Sequence, residues 1–113
     1  MELLIKPKAD ITFHRSGLIE LSSRLVRGLG LTEADYINFG PACTRIVKCG
    51  YGLKVRKPRR TKKEGGFMRA NSKYICSLVT SEEVPVAKFR MGSICDNVAN
   101  IITKKNYADT KRN

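Results

Sequence analysis

The densest chemistry in this 113-residue sequence is cationic. Lys54-Val55-Arg56-Lys57-Pro58-Arg59-Arg60-Thr61-Lys62-Lys63 holds seven basic side chains in ten positions. Guanidinium and ammonium groups at this density raise the local potential and attract phosphate. Pro58 interrupts any helix and Gly65-Gly66 follows, so the run is expected to form a hairpin loop or an arm. Lys54, Arg56, Lys57, Arg59, Arg60, Lys62 and Lys63 are its candidate phosphate contacts. The plainer reading of the run is a solvated loop that aids solubility, and a nuclear-localisation signal is a third, weakly specific one.

The residues that could support other chemistry are sparse. His14 is the single histidine, sits in an alternating strand pattern and has no Asp or Ser partner by motif, so it is expected to be structural and not a general base. Cys43, Cys49, Cys76 and Cys95 are separated by five, 26 and 18 residues, and no tight ligand pair occurs among them. Zinc sites carry such pairs, so no metal is expected and the four thiols are read as free and buried. No phosphate loop, dinucleotide fingerprint or nucleophile elbow is present. Catalysis, a cofactor and a small-molecule substrate are therefore not expected.

The composition agrees with a polyanion binder. Lys and Arg number 22 against 10 Asp and Glu, a formal net charge of +12. That excess costs stability by self-repulsion, and a phosphate partner offsets the cost by releasing condensed counterions. Hydrophobic residues make up 42%, enough for a core in a chain the size of one domain. No apolar run approaches a membrane span. The opening Met1-Glu2-Leu3-Leu4-Ile5-Lys6 lacks the regions of a signal peptide, so a cytoplasmic location without disulfides is expected.

The elements that must position these charges alternate in period. Ile11–Arg15, Leu18–Leu21 and Tyr36–Phe39 read as strands, with Ser16-Gly17 as a turn. Leu21, Leu25 and Leu29 fall four apart and predict a short helix over about 22–30, capped by Ser22 or Ser23 and closed by Gly30 with Leu31 packing back. Residues 44–49, 51–55, 67–70, 74–79 and 85–90 read as further strands. Ile94, Val98, Ile101 and Ile102 recur at helical spacing behind Ser93-x-x-Asp96, a variant capping box. They predict an amphipathic C-terminal helix over about 93–104, with Lys104 and Lys105 at its end. Residues 107–113 read as a frayed polar tail, and no internal repeat is visible.

The stretch from Gly17 to Asp35 resembles the core of the AbrB-like (SpoVT-AbrB) swapped-hairpin family. Gly17, the helix ending in Leu29-Gly30-Leu31, and Asp35 match that family's spacing without a gap. Leu18, Ser22 and Ala34 stand where Arg, Pro and Gly are usual. The match covers residues 10–39. The resemblance implies an intertwined homodimer that binds duplex DNA, with Arg15, Arg24 and Arg27 at the matching basic positions. Leu18 in place of Arg puts the family's mode of contact in question.

These readings combine into one α+β domain over 1–106, a mainly antiparallel curved sheet or small barrel with one early and one late helix. The expected function is non-catalytic nucleic-acid binding, DNA favoured over RNA, as a regulatory homodimer without a membrane partner. One alternative is a Whirly-like single-strand binder, with Tyr36, Phe39, Tyr51, Phe67, Tyr74 and Phe89 as candidate stacking platforms. The other is a basic assembly or ribosome-associated protein.

Overall fold

The computed structural model describes residues 9–57 and 68–102. Its first strand, β1 (Ile11–His14), turns Ile11 and Phe13 inward and leaves Thr12 and His14 half-buried, as period-two patterning demands. β2 (Leu18–Leu21) returns antiparallel to β1 and buries Ile19 and Leu21. The period then changes, and α1 (Ser23–Leu29) buries Leu25, Val26 and Leu29 on one face. Ser22 caps it by accepting from the Leu25 N–H at 3.1 Å. Gly30 ends it in the left-handed region, with φ 67° and ψ 39°, and the Leu31 N–H donates to the Val26 carbonyl.

Seven more strands and helices, with a 3-10 turn at Pro41–Cys43, complete the described chain: β3 (Tyr36–Phe39), β4 (Arg45–Cys49), β5 (Leu53–Lys54), β6 (Met68–Asn71), α2 (Lys73–Val79), β7 (Val86–Cys95) and β8 (Val98–Ile102). All strand pairs are antiparallel, in the order β5-β3-β4-β8-β7-β1-β2-β6. A bridge between Arg56, just past β5, and Arg69 of β6 joins the two ends of that order, so the sheet nearly closes into a barrel. Phe13, Ile19, Leu21, Leu25, Ile37, Ile46, Val55 and Ile101 fill its interior. Phe13 lies between Phe39 and Phe89, with ring centroids 5.5 and 5.8 Å away.

Two expected elements are overturned. Residues 93–102 form no helix: β7 and β8 are joined by a two-residue turn, Asp96-Asn97, with Cys95 opposite Val98. Asp96 adopts a φ of 56°, which Asp tolerates better than most residues. Ile94, Val98, Ile101 and Ile102 are all β-branched, and stiff side chains of that kind favour the pleated surface. Ala99 and Ile101 point inward. The Ser93-x-x-Asp96 signature thus marks a bulge and a hairpin turn. Conversely, 74–79 forms α2 and not a strand, because Ser72 accepts from the Ile75 N–H at 3.1 Å and Ile75, Cys76 and Val79 face the core at helical spacing. The tail at 107–113 and the lysines at 104 and 105 lie outside the described residues.

The fold also contains the repeat that the sequence hides. α2 begins and ends 50 positions after α1, and Ser72 caps it as Ser22 caps α1. β6 starts 50 positions after β2, and β7 starts 50 after β3. Exchanging β1 with β5, β2 with β6, β3 with β7 and β4 with β8 maps every strand pairing onto another or onto itself. The molecule therefore has a pseudo-two-fold axis that crosses the β2–β6 and β4–β8 pairs. The halves trade strands across it: β1 pairs with β7 and β5 pairs with β3.

Candidate nucleic-acid interface

The pseudo-axis defines two comparable sides. On one, α1 follows β2, and Leu21 at the end of β2 stands opposite Met68 at the start of β6. Arg56 faces Arg69, so Lys57 and Met68, the two ends of the β5–β6 connection, meet the barrel beside the start of α1. On the other side, the three-residue turn Arg15-Ser16-Gly17 joins β1 to β2 beside the start of α2. The Gly17 carbonyl accepts from the Ser72 N–H at 2.8 Å, and a Cβ on Gly17 would stand 3.0 Å from the Lys73 Cγ.

Six of the ten sequence-derived contact residues fall within the described chain. Arg24, Arg27, Arg56 and Lys57 belong to the α1 side. Arg15 belongs to the α2 side, and Lys54 lies on β5 opposite Tyr36. Arg59, Arg60, Lys62 and Lys63 lie outside the described residues. The six are not equally free. The Arg24 guanidinium donates to the Asp10 carboxylate at 3.3 Å, and Asp10 is only 3% exposed. Asp10 also accepts from the Ser22 hydroxyl at 2.9 Å and from the Met91 N–H at 3.0 Å beside the β7 bulge. Arg24 is thus partly committed to pinning α1 onto β1 and β7. Arg15 has Glu82 at 4.0 Å, an exposed pair of little energetic weight. Arg27, Lys54, Arg56 and Lys57 are exposed and have no ion-pair partner among the described residues.

Strand register adds residues that the sequence alone did not single out. Arg56 opposes Arg69, Arg69 opposes Glu20, Glu20 opposes Thr12, and Thr12 opposes Lys88. Directly opposed residues project to one face, so this row crosses the outside of the barrel over its seam. Two arginines face one another there, a repulsive arrangement that an anion would relieve. Glu20 tempers it, with Arg69 at 4.0 Å on one oxygen and the His14 ring at 2.9 Å on the other. His14 is accordingly engaged in a network with Glu20 and Arg69. Lys48, also basic, donates to the Gly30 carbonyl at 3.1 Å and serves the end of α1.

Among the described residues the aromatic side chains do not form one platform. Phe39 and Phe89 pack against the core, Phe67 lies outside the described residues, and Tyr36 is half-buried. Tyr51 and Tyr74 are 73% and 71% exposed but belong to different elements, the β4–β5 turn and α2. The thiols divide as well. Cys43 and Cys76 are buried, whereas Cys49 is half-buried and Cys95 exposed, so the expectation of four buried thiols holds for two. Burial pushes the Cys43 and Cys76 thiols up, and proximity of Cys76 adds to the effect on Cys43. Among the described residues no group of three His, Cys, Asp or Glu side chains is placed to hold a metal ion, and no helix is long and apolar enough to cross a membrane. Comparison with protein-family models, with curated proteins and with solved structures finds no match to this chain.

Proposed function

We propose that this protein binds nucleic acid through the phosphate backbone and catalyses no reaction, with duplex DNA the favoured partner and regulation the favoured role. The observation that carries this reading is the Arg56–Arg69 pair facing across the barrel seam, with exposed Lys57 next to Arg56. The sequence supplies four more basic residues between Lys57 and Met68. Phosphate contacts of this kind position a protein on nucleic acid and contribute salt-dependent affinity without reading sequence. The strand exchange between the halves is in keeping with the AbrB-like resemblance, whose intertwined hairpins would pair in the same manner. In this chain the second hairpin comes from the same polypeptide. Separation of Tyr51 from Tyr74 argues against a single-strand stacking groove.

The test is fluorescence anisotropy with labelled duplex DNA, single-stranded DNA and RNA of equal length across a salt titration. Tight binding to duplex DNA that weakens steeply with salt is the expected outcome. A preference for single strands would favour the Whirly-like alternative, and a preference for RNA the ribosome-associated one. Absence of binding to all three at low salt overturns the proposal.

A further inference from the structure

Glu20 stands in the middle of the outer row and is its one acidic member. Arg56 and Arg69 exchange backbone hydrogen bonds at 2.8 Å in both directions, which fixes them side by side across the seam. Glu20 opposes Arg69, and Lys88 closes the row beyond Thr12. The Glu20 carboxylate is divided between two partners: Oε2 lies 4.0 Å from the Arg69 guanidinium, and Oε1 lies 2.9 Å from His14 Nε2, its diagonal neighbour. A carboxylate only accepts, so Nε2 carries the hydrogen and Nδ1 is the atom that takes up a further proton. Among the described residues Glu20 is the one group in hydrogen-bond contact with the ring. Val86 stands opposite His14 on β7, and Lys88 faces Thr12. Arg15 has Glu82 at 4.0 Å, Lys73 of α2 lies against Gly17, and the Cys76 thiol is turned to the Leu18 carbonyl.

We infer that protonation of His14 opens the Arg56–Arg69 pair to a phosphate, so that nucleic acid is held more tightly as pH falls. The inference rests on the nucleic-acid reading above and names how that same site is regulated. With His14 neutral, Glu20 keeps its full charge beside Arg69 and repels the phosphate that the arginines attract. An imidazolium compensates the carboxylate through their short bond, and Arg69 is left to the ligand. The row then carries Arg56, Arg69 and Lys88 with no uncompensated acid. Histidine suits this task because it is the side chain that ordinarily changes charge between pH 5 and 8, where arginine and lysine stay cationic. The coupling is reciprocal: a proton that strengthens phosphate binding is itself held more strongly once phosphate is bound.

His14 is the single histidine of the chain, so its ring Cε1–H resonance can be titrated by NMR without ambiguity, in the full chain free and bound to a short DNA duplex. The midpoint is expected to move to higher pH in the complex. This titration needs no substitution and stands whether or not a variant folds. Fluorescence anisotropy at constant salt supplies the second readout. Affinity should be about fivefold higher at pH 6 than at pH 8, the order expected for one added unit charge near a phosphate. His14→Gln keeps a donor for Glu20 without the charge, and should bind weakly and equally at both pH values. His14→Lys should bind tightly at both, and Glu20→Gln should bind tightly at pH 8 with little further gain at pH 6. A midpoint unmoved by duplex, or a pH response retained in His14→Gln, would overturn the inference and leave nucleic-acid binding intact. No complex at pH 6 and low salt would instead remove the reading on which it rests.

Discussion

The α1 half and the α2 half solve one folding problem with almost no shared sequence. Over positions 22–39 and 72–89, only Ser22/Ser72, Glu33/Glu83 and Phe39/Phe89 are identical. Two of these are architectural: the serines start the helices, and the phenylalanines flank Phe13. Inward positions keep their character, with Leu25, Val26 and Leu29 answered by Ile75, Cys76 and Val79. Outward positions diverge, arginine on one side and tyrosine or serine on the other. Burial constrains the inside because volume errors cost stability, while the solvated face is free to take on a role.

The comparison breaks most visibly if the halves unfold separately. Phe13 touches both pseudo-equivalent phenylalanines and is fully buried. Phe13→Ala should therefore cost about 3–5 kcal/mol and destabilise both halves together. Chemical denaturation followed by tyrosine fluorescence and far-ultraviolet circular dichroism checks it, since coincident transitions mark one cooperative unit. Two separated transitions would mean that strand exchange does not bind the halves into one core.

A somewhat smaller loss is expected at Asp10, a device of the α1 half alone. Asp10→Ala removes the acceptor for the Ser22 hydroxyl, the Arg24 guanidinium and the Met91 N–H. Hydrogen bonds to charged groups are worth about 1.5–3 kcal/mol, and the loss should fall in or near that range by thermal denaturation. Asp10→Asn keeps an acceptor and should lose clearly less. If the two variants are equally damaged, the carboxylate charge and not the bonding geometry holds α1.

Much of the α1 half was legible because its signals are local. Serine, leucines four apart and Gly30 specify a capped helix within nine residues, and short strands alternate on either side. The second half was harder for identifiable reasons. Tyr74, Ile75 and Val79 have strand propensity, and only the Ser72 cap and the barrel wall make them helical. Ile94 through Ile102 satisfied a helical period and a strand period at once, and the turn at Asp96-Asn97 decided between them. The candidate site was half visible: the basic run declares itself in sequence, but Arg69 gains meaning only from its register against Arg56 and Glu20. The duplication stayed hidden because register and burial, not residue identity, are what the halves preserve.

The caps sharpen the comparison further. Ser22→Ala and Ser72→Ala should each cost about 1 kcal/mol, as the two serines bond the same helical position at the same 3.1 Å. Hydrogen exchange should nevertheless separate the helices. α1 is closed by left-handed Gly30, whereas α2 ends at Thr80 in extended backbone. Faster exchange at the end of α2 than at the end of α1 is expected, and the reverse order would mean that terminal closure does not govern their fraying.

The smallest effect concerns the thiols where the halves meet. Cys43 comes from the turn Pro41–Cys43 in the first half, and Cys76 lies on α2 in the second. Both have their ionisation pushed above the ordinary thiol value of 9.0, chiefly by burial. The fold therefore favours the protonated thiols, and the unfolded chain gives up these protons first as pH rises. Their contribution is intact below the ordinary thiol value and declines as pH climbs through it toward the folded values. Raising pH also discharges lysines and relieves self-repulsion, in the natural chain and in a Cys43→Ala, Cys76→Ala variant alike. The difference between their melting temperatures, measured from pH 7 to pH 10, isolates the thiols. It should shift against the natural chain above pH 9. A constant difference across that range would mean that the two thiols ionise as freely in the fold as in the unfolded chain, and that the junction between the halves is open to water.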